Sequence, residues 1–204
     1  PSSSSAASDV YKRQVIHLRE FLRILMVSNT EFKYDLGVVG LGYVGLPLAV
    51  EAATSSLKVI GFDINSERVE MINNGHSPIE DISNDELSQS LQNFHSTIDS
   101  EELSQCRNIV ISVPTPLTDY QPDLSYVINA AKTVGENLVK NQVVILESTT
   151  YPGTTVEVLI PNLEQMSGLK AGEDFFVGYS PERIDPGNEV WKFKNTPKVI
   201  SGIN

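Results

Sequence analysis

The chain has 204 residues, 40% of them hydrophobic and 20% charged, close to the soluble globular average, so it is long enough to bury a core and is neither fibrous nor disordered throughout. Fifteen Lys and Arg against 26 Asp and Glu give a net charge of −11, which argues against binding a nucleic-acid backbone. The single cysteine, Cys106, excludes an internal disulfide and a cysteine zinc cluster and fits a reducing, cytoplasmic compartment.

Residues 1–25 read as a leader foreign to the fold. Residues 1–8 are a Ser/Ala run with nothing to pack, and 9–14 spell Asp-Val-Tyr-Lys-Arg-Gln, the in-frame translation of a transposon-end adapter (GAT GTG TAT AAG AGA CAG). Residues 1–14 therefore read as a sequence scar and Met26 as the native start, with a disordered native tail as the alternative. Arg19, Glu20 and Arg23 interrupt the apolar run 15–27, so no stretch reaches the roughly 18–20 apolar residues of a membrane span.

From residue 26 to 204 the chain reads as one domain of alternating strands and helices. The pattern predicts a buried strand over 34–40, a small-residue helix over 44–56 and a strand over 58–63. A helix follows over 66–74, with Asn65 as N-cap and Gly75 as stop. Residues 78–82 read as irregular, 84–91 as a short helix and 96–98 as a short strand. Then come a buried strand over 108–113 closed by Pro114 and Pro116, a long amphipathic helix over 123–139, and a strand over 142–147. A helix over 154–166 and strands over 175–179 and 198–201 complete the series. Strands alternating with helices imply βαβ units, hence an α/β fold with a doubly wound parallel sheet.

Gly40-Leu41-Gly42-Tyr43-Val44-Gly45 matches G-x-G-x-x-G in its required context, after a strand and opening a helix. The first glycine permits the tight turn, the second lets a pyrophosphate approach the backbone, and the third lets helix and strand pack closely. The helix N-terminus offers free N–H groups to the phosphates. Asp63 ends the second strand and suits the adenine-ribose hydroxyls, favouring NAD over NADP. Arg68 stands near the adenine end and pulls against that preference. A glycine turn without a ligand is the bland alternative. Three further segments fall at the carboxyl ends of later strands, where ligands bind in open α/β sheets. They are 112–116 (SVPTP), 147–153 (ESTTYPG) and 179–187 (YSPERIDPG).

The stretches GVVGLGYVGLPLA, VPTPL, ESTTYPGTT and GYSPERIDPG, in this order and spacing, resemble the NAD-binding N-terminal domain of the UDP-glucose/GDP-mannose dehydrogenase family. The resemblance runs from about Leu36 to the last residue. It implies a Rossmann-type domain with NAD as cofactor, in an enzyme that oxidises the C6 alcohol of a UDP-sugar to a carboxylate in two hydride transfers. It further implies a central dimerising helical region and a C-terminal nucleotide-sugar domain, hence a homodimer or higher assembly. By the same resemblance, residues 40–45 hold the pyrophosphate, Asp63 the ribose, and Val113, Thr115 and Pro116 the cofactor pocket. Thr150 corresponds to a threonine that orients a catalytic water, with Thr149 beside it against the nicotinamide, and Glu182 to the catalytic glutamate acting as acid and base. Pro186 stands where the glucose-oxidising branch has a second glutamate, and the S-P-E-R-I-x-P-G form resembles enzymes of UDP-N-acetylhexosamines.

The family's nucleophilic cysteine and its lysine and asparagine partners match nothing in this sequence. The expectation is a chain that binds NAD without turning substrate over. Cys106 reads as a buried thiol, His76 and His95 as solvated histidines, and Lys192, Lys194 and Lys198 as surface charges. Trp191 and Phe193 read as packing at a strand edge or against a second domain. Two alternatives remain: another Rossmann oxidoreductase of the β-hydroxyacid dehydrogenase type, or a non-catalytic nucleotide-binding module.

Overall fold

The computed structural model describes residues 12–16, 32–118, 121–182 and 196–202. In chain order these form β1 (Lys12–Ile16), β2 (Tyr34–Val39), α1 (Gly45–Thr54), β3 (Val59–Phe62), α2 (Ser66–Asn73), α3 (Asn84–Ser90) and β4 (Phe94–Thr97). A 3₁₀ helix over Ser100–Gln105 leads to β5 (Cys106–Ile111), the short hairpin β6 (Leu117–Thr118) and β7 (Gln121–Pro122), α4 (Ser125–Glu136) and β8 (Val143–Leu146). A π-helical turn over Thr155–Leu159 runs into α5 (Ile160–Ser167), followed by β9 (Phe176–Tyr179) and β10 (Lys198–Gly202).

The main sheet has the order β1-β10-β9-β8-β5-β2-β3-β4. The six strands from β9 to β4 are parallel, whereas β10 and β1 join antiparallel. Strand sequence alternates between two cores, which is why these runs are apolar without interruption. Leu36, Val38, Val59, Val110 and Ile145 face the core that holds α1 and Leu87 of α3. Val39, Ile60, Phe62, Ile109, Ile111, Val144 and Leu146 face the other core, against Val127, Ala131 and Val134 of α4 and Leu163 of α5. Each fully buried aliphatic side chain contributes about 1.5–3 kcal/mol. Helix α1 buries Leu46, Leu48, Ala49, Ala52 and Ala53 completely or nearly so, because its small side chains let it lie flat on the sheet.

Successive connections run from β2 through β3 to β4 on one side and from β5 through β8 to β9 on the other. The order therefore reverses between β2 and β5, and the crevice beyond their carboxyl ends is where such a sheet takes a ligand.

The expected elements are present with three local departures. The helix expected over 123–139 starts at Ser125, because the Asp123 carboxylate accepts from the Ser125 N–H (2.8 Å) and holds the chain in a turn. The helix expected over 154–166 opens as a π-helical turn. Pro161 has no N–H to give the carbonyl four residues back and its ring crowds that carbonyl, so the turn widens ahead of α5. The last strand is antiparallel, and β1 pairs with it in the register Lys12↔Gly202 to Ile16↔Lys198, inside the segment read as a leader. The 3₁₀ helix and the β6–β7 hairpin carry no signal in the sequence pattern.

Candidate functional site

Gly40 takes φ +91°, a conformation that side chains rarely adopt, and its N–H donates to the Phe62 carbonyl (2.8 Å). The turn is pinned from below by Ser112, whose hydroxyl donates to the Val39 and Gly40 carbonyls (3.2 and 3.0 Å). At Gly42 an added Cβ would meet nothing within 4 Å, so the loop backbone stands open to a ligand there. Helix α1 begins at Gly45 with Val44 as N-cap, which gives no side-chain acceptor, and with no acid in its first turn. Leu46 and Leu48 give their N–H groups to the Gly42 and Val44 carbonyls (3.1 and 3.3 Å) and Pro47 has none, so what α1 itself offers an anion is the positive end of its dipole and the Gly45 N–H.

Asp63 is 5% exposed and ties three groups together. It accepts from the Leu41 N–H (2.8 Å), the Asn65 N–H (2.9 Å) and Arg68 Nη1 (3.0 Å). The carboxylate thus braces the glycine loop at the edge of the crevice, and Arg68 is brought onto it as an ion pair. Asp63→Ala strands two backbone donors and is expected to cost about 2–4 kcal/mol of stability. Urea denaturation checks this against Arg68→Ala, which is expected to cost under about 1 kcal/mol because the guanidinium is part-exposed.

The later strand ends are stitched to each other by hydroxyls. Thr115 Oγ1 donates to the Thr149 carbonyl (2.6 Å), Ser148 Oγ to the Val113 carbonyl (2.8 Å), and the Tyr179 hydroxyl to the Ser148 carbonyl (3.4 Å). Together with the glycine loop, Val113, Thr115, Ser148 and Thr149 wall a cavity of about 580 Å³. Of the residues singled out from sequence, Gly40, Gly42, Tyr43, Val44, Asp63, Arg68, Val113, Thr115, Thr149 and Glu182 line it. Leu41, Gly45, Pro116 and Thr150 do not, although Leu41 and Gly45 shape the loop from behind. Tyr126, Asn129 and Thr133 also line it from α4, at the i, i+3, i+7 spacing that presents one helix face. That spacing was legible in principle, but the residue types carry no chemistry that singles them out.

Lys198, expected at the surface, is 5% exposed, and its ammonium pairs with Glu147 Oε1. Burial pulls this ammonium down to about 7. Glu147 is 1% exposed at the end of β8 and lines the cavity, a residue that sequence reading placed in a site segment without a role. Cys106 is buried in the α4-side core, and its Sγ meets the Glu102 carbonyl at 3.7 Å. Burial first, and the Glu102 charge second, push its thiol well above the ordinary range, the opposite of an activated nucleophile. His95 is not simply solvated. It sits on β4 with Nε2 at 3.4 Å from Glu102 and its ring 5.5 Å from that of Tyr34, while His76 is exposed. Arg183, Asp185, Pro186, Trp191, Lys192, Phe193 and Lys194 lie outside the described residues. Among the described residues there is no group of three metal-ligating side chains, and no helix is long and apolar enough to cross a membrane.

A parallel sheet with this strand order, a glycine turn opening a helix and an acid closing the second strand define a dinucleotide-binding Rossmann domain. The chain belongs to the UDP-glucose/GDP-mannose dehydrogenase family, whose NAD binding domain matches residues 34–204. Over 168 residues it is 43% identical to UDP-N-acetyl-D-glucosamine 6-dehydrogenase of Salmonella typhi, covering 82% of this chain and 39% of that protein. It is 44% identical over 169 residues to Protein CapL of Staphylococcus aureus, with the same two shares. Among solved structures, NDP-N-acetyl-D-galactosaminuronic acid dehydrogenase from Methanosarcina mazei superposes with a TM-score of 0.72 at 36% identity, covering 80% of this chain and 37% of that one. The chain thus spans about two fifths of the length of the relatives it matches. Family membership favours the sugar-nucleotide reading over the β-hydroxyacid dehydrogenase alternative.

Proposed function

We propose that this chain is the NAD-binding part of an enzyme that oxidises the C6 alcohol of a UDP-N-acetylhexosamine to the uronic acid. The observation that carries the reading is one cavity with the glycine loop and Asp63 at one end and Thr149 and Glu182 at the other. The similarity to UDP-N-acetyl-D-glucosamine 6-dehydrogenases supports the sugar class. The glycine-loop N–H groups suit the pyrophosphate and the Asp63 edge suits the adenosine ribose. NAD, when bound, supplies the hydride acceptor for both oxidations. Glu182 is the proposed acid and base at the reacting end, where a carboxylate beside the cavity can exchange protons with substrate or water. Thr149 lines that end and Thr150 does not, so Thr149 is the proposed water-orienting hydroxyl, with Thr150 in support. Val113 and Thr115 form the wall between the two ends, and Pro116, which is exposed and does not line the cavity, follows them in the chain. Assembly as a homodimer and a cytoplasmic setting belong to the same proposal.

Two measurements test it. The 204-residue chain, titrated calorimetrically, is expected to bind NAD at least about tenfold tighter than NADP, since a 2′-phosphate beside Asp63 meets like charge. Equal affinities would remove the assigned role of Asp63. The product of the gene's complete reading frame is expected to yield two NADH per UDP-N-acetylglucosamine consumed. A yield of one, or a preference for UDP-glucose, overturns the proposal.

A further inference from the structure

The Glu147–Lys198 pair asks for an explanation that family membership does not provide. Glu147 Oε1 is taken by the Lys198 ammonium, but Oε2 is buried with no hydrogen-bond partner among the described residues. A buried carboxylate oxygen without a donor is costly, and natural structures rarely leave one so. This one belongs to a side chain that lines the cavity, at the carboxyl end of β8. Thr115 and Ser148 spend their protons on the Thr149 and Val113 carbonyls, and the buried Ser180 Oγ, beside the end of β8, makes no hydrogen bond to this oxygen. No described side chain supplies the donor that Glu147 Oε2 lacks.

The layout of the cavity identifies that donor. Asp63 and Arg68 mark the adenosine end, the glycine loop marks the pyrophosphate, and a dinucleotide crossing the switch point places its nicotinamide beyond β5 and β8. On the nicotinamide ring the only N–H donor is the carboxamide NH₂. We propose that Glu147 Oε2 accepts this carboxamide N–H, and that the buried Glu147–Lys198 pair is a positioning device that fixes which face of the nicotinamide ring meets the substrate. This rests on the NAD reading above. Lys198 compensates the carboxylate charge, and the antiparallel β10 brings it there from 51 residues away. A charge-assisted hydrogen bond to a planar amide fixes ring orientation as well as affinity.

The test uses three probes on the 204-residue chain: NAD, 3-acetylpyridine adenine dinucleotide (a methyl group in place of the amide NH₂) and ADP-ribose. Glu147→Leu combined with Lys198→Met removes the pair without leaving either charge buried alone. The native chain is expected to favour NAD over the acetylpyridine analogue by about tenfold, the worth of one charge-assisted hydrogen bond. In the double variant the ratio is expected to fall to about one, with ADP-ribose affinity unchanged within about twofold. Glu147→Gln, which keeps an acceptor oxygen, is expected to retain part of the preference. An unchanged NAD-to-analogue ratio in the double variant overturns the positioning role and leaves the NAD reading standing. An equal loss for NAD and the analogue points to a ribose hydroxyl and also overturns it. Failure of the native chain to bind any of the three overturns the NAD reading first, and this proposal with it.

Discussion

Gly42→Ala is expected to weaken NAD binding by at least about 100-fold while the urea midpoint stays put, and Gly45→Ala to damage the fold itself. The two glycines stand three residues apart in one motif, and their surroundings explain the opposite outcomes. A Cβ on Gly42 meets no atom within 4 Å, and the residue does not sit at positive φ, so alanine is accommodated without strain. The space that methyl takes is the space through which a pyrophosphate would reach the loop N–H groups. A Cβ on Gly45 would lie 1.9 Å from the Gly40 carbonyl oxygen and 2.4 Å from Ser112 Oγ. The first contact is backbone and has nowhere to go, since Ser112 also holds that carbonyl through its hydroxyl. Helix α1 must then lift from the sheet and uncover Leu46, Leu48 and Ala49, for a loss of about 3 kcal/mol or more. Calorimetric titration and urea unfolding on each variant separate the two effects. A Gly42→Ala chain that binds NAD normally would place the pyrophosphate elsewhere and undo the cofactor site as drawn.

The contrast also shows what kind of information the sequence carries. The glycine loop, Asp63 and the strand–helix alternation are local, set by residues close along the chain and by the period of apolar positions. They are legible without coordinates, and so is the Asn65 cap, which accepts from the Arg68 N–H at 3.0 Å. The gathering of 112–116, 147–153 and Glu182 at one sheet edge follows once the sheet is parallel. What escaped is non-local. Nothing near Lys198 announces that β10 runs antiparallel and carries this lysine under the end of β8. A lysine in polar company reads as solvated unless its distant carboxylate is known. That Thr149 lines the cavity and Thr150 does not is likewise set by the turn after β8. The contribution of α4 to the cavity is hidden in the same way, because Tyr126, Asn129 and Thr133 gain meaning only from where the helix is laid.

That non-local pair supports the other large expectation. Lys198→Met alone is expected to cost about 3–5 kcal/mol, whereas adding Glu147→Leu to it recovers most of the loss or all of it. Lys198 and Glu147 are 5% and 1% exposed, so solvent cannot stand in for a missing partner. Removing the ammonium leaves the carboxylate with neither of its oxygens satisfied, and that desolvation goes uncompensated. Removing both charges and filling the volume with aliphatic side chains takes away the attraction and the desolvation cost together, which in buried pairs is near neutral. Acidification sharpens the distinction. A lone buried carboxylate takes up a proton as pH falls, so the deficit of Lys198→Met shrinks in acid and is largest near neutral pH, above which the native ammonium, pulled down to about 7, gives up its own proton. Urea unfolding of the two single variants and the double variant, at acid and neutral pH, measures the coupling directly as a double-mutant cycle. If the single variant loses less than about 1 kcal/mol at neutral pH, the pair is solvated in solution, and the strand β10 that carries Lys198 does not close over the end of β8.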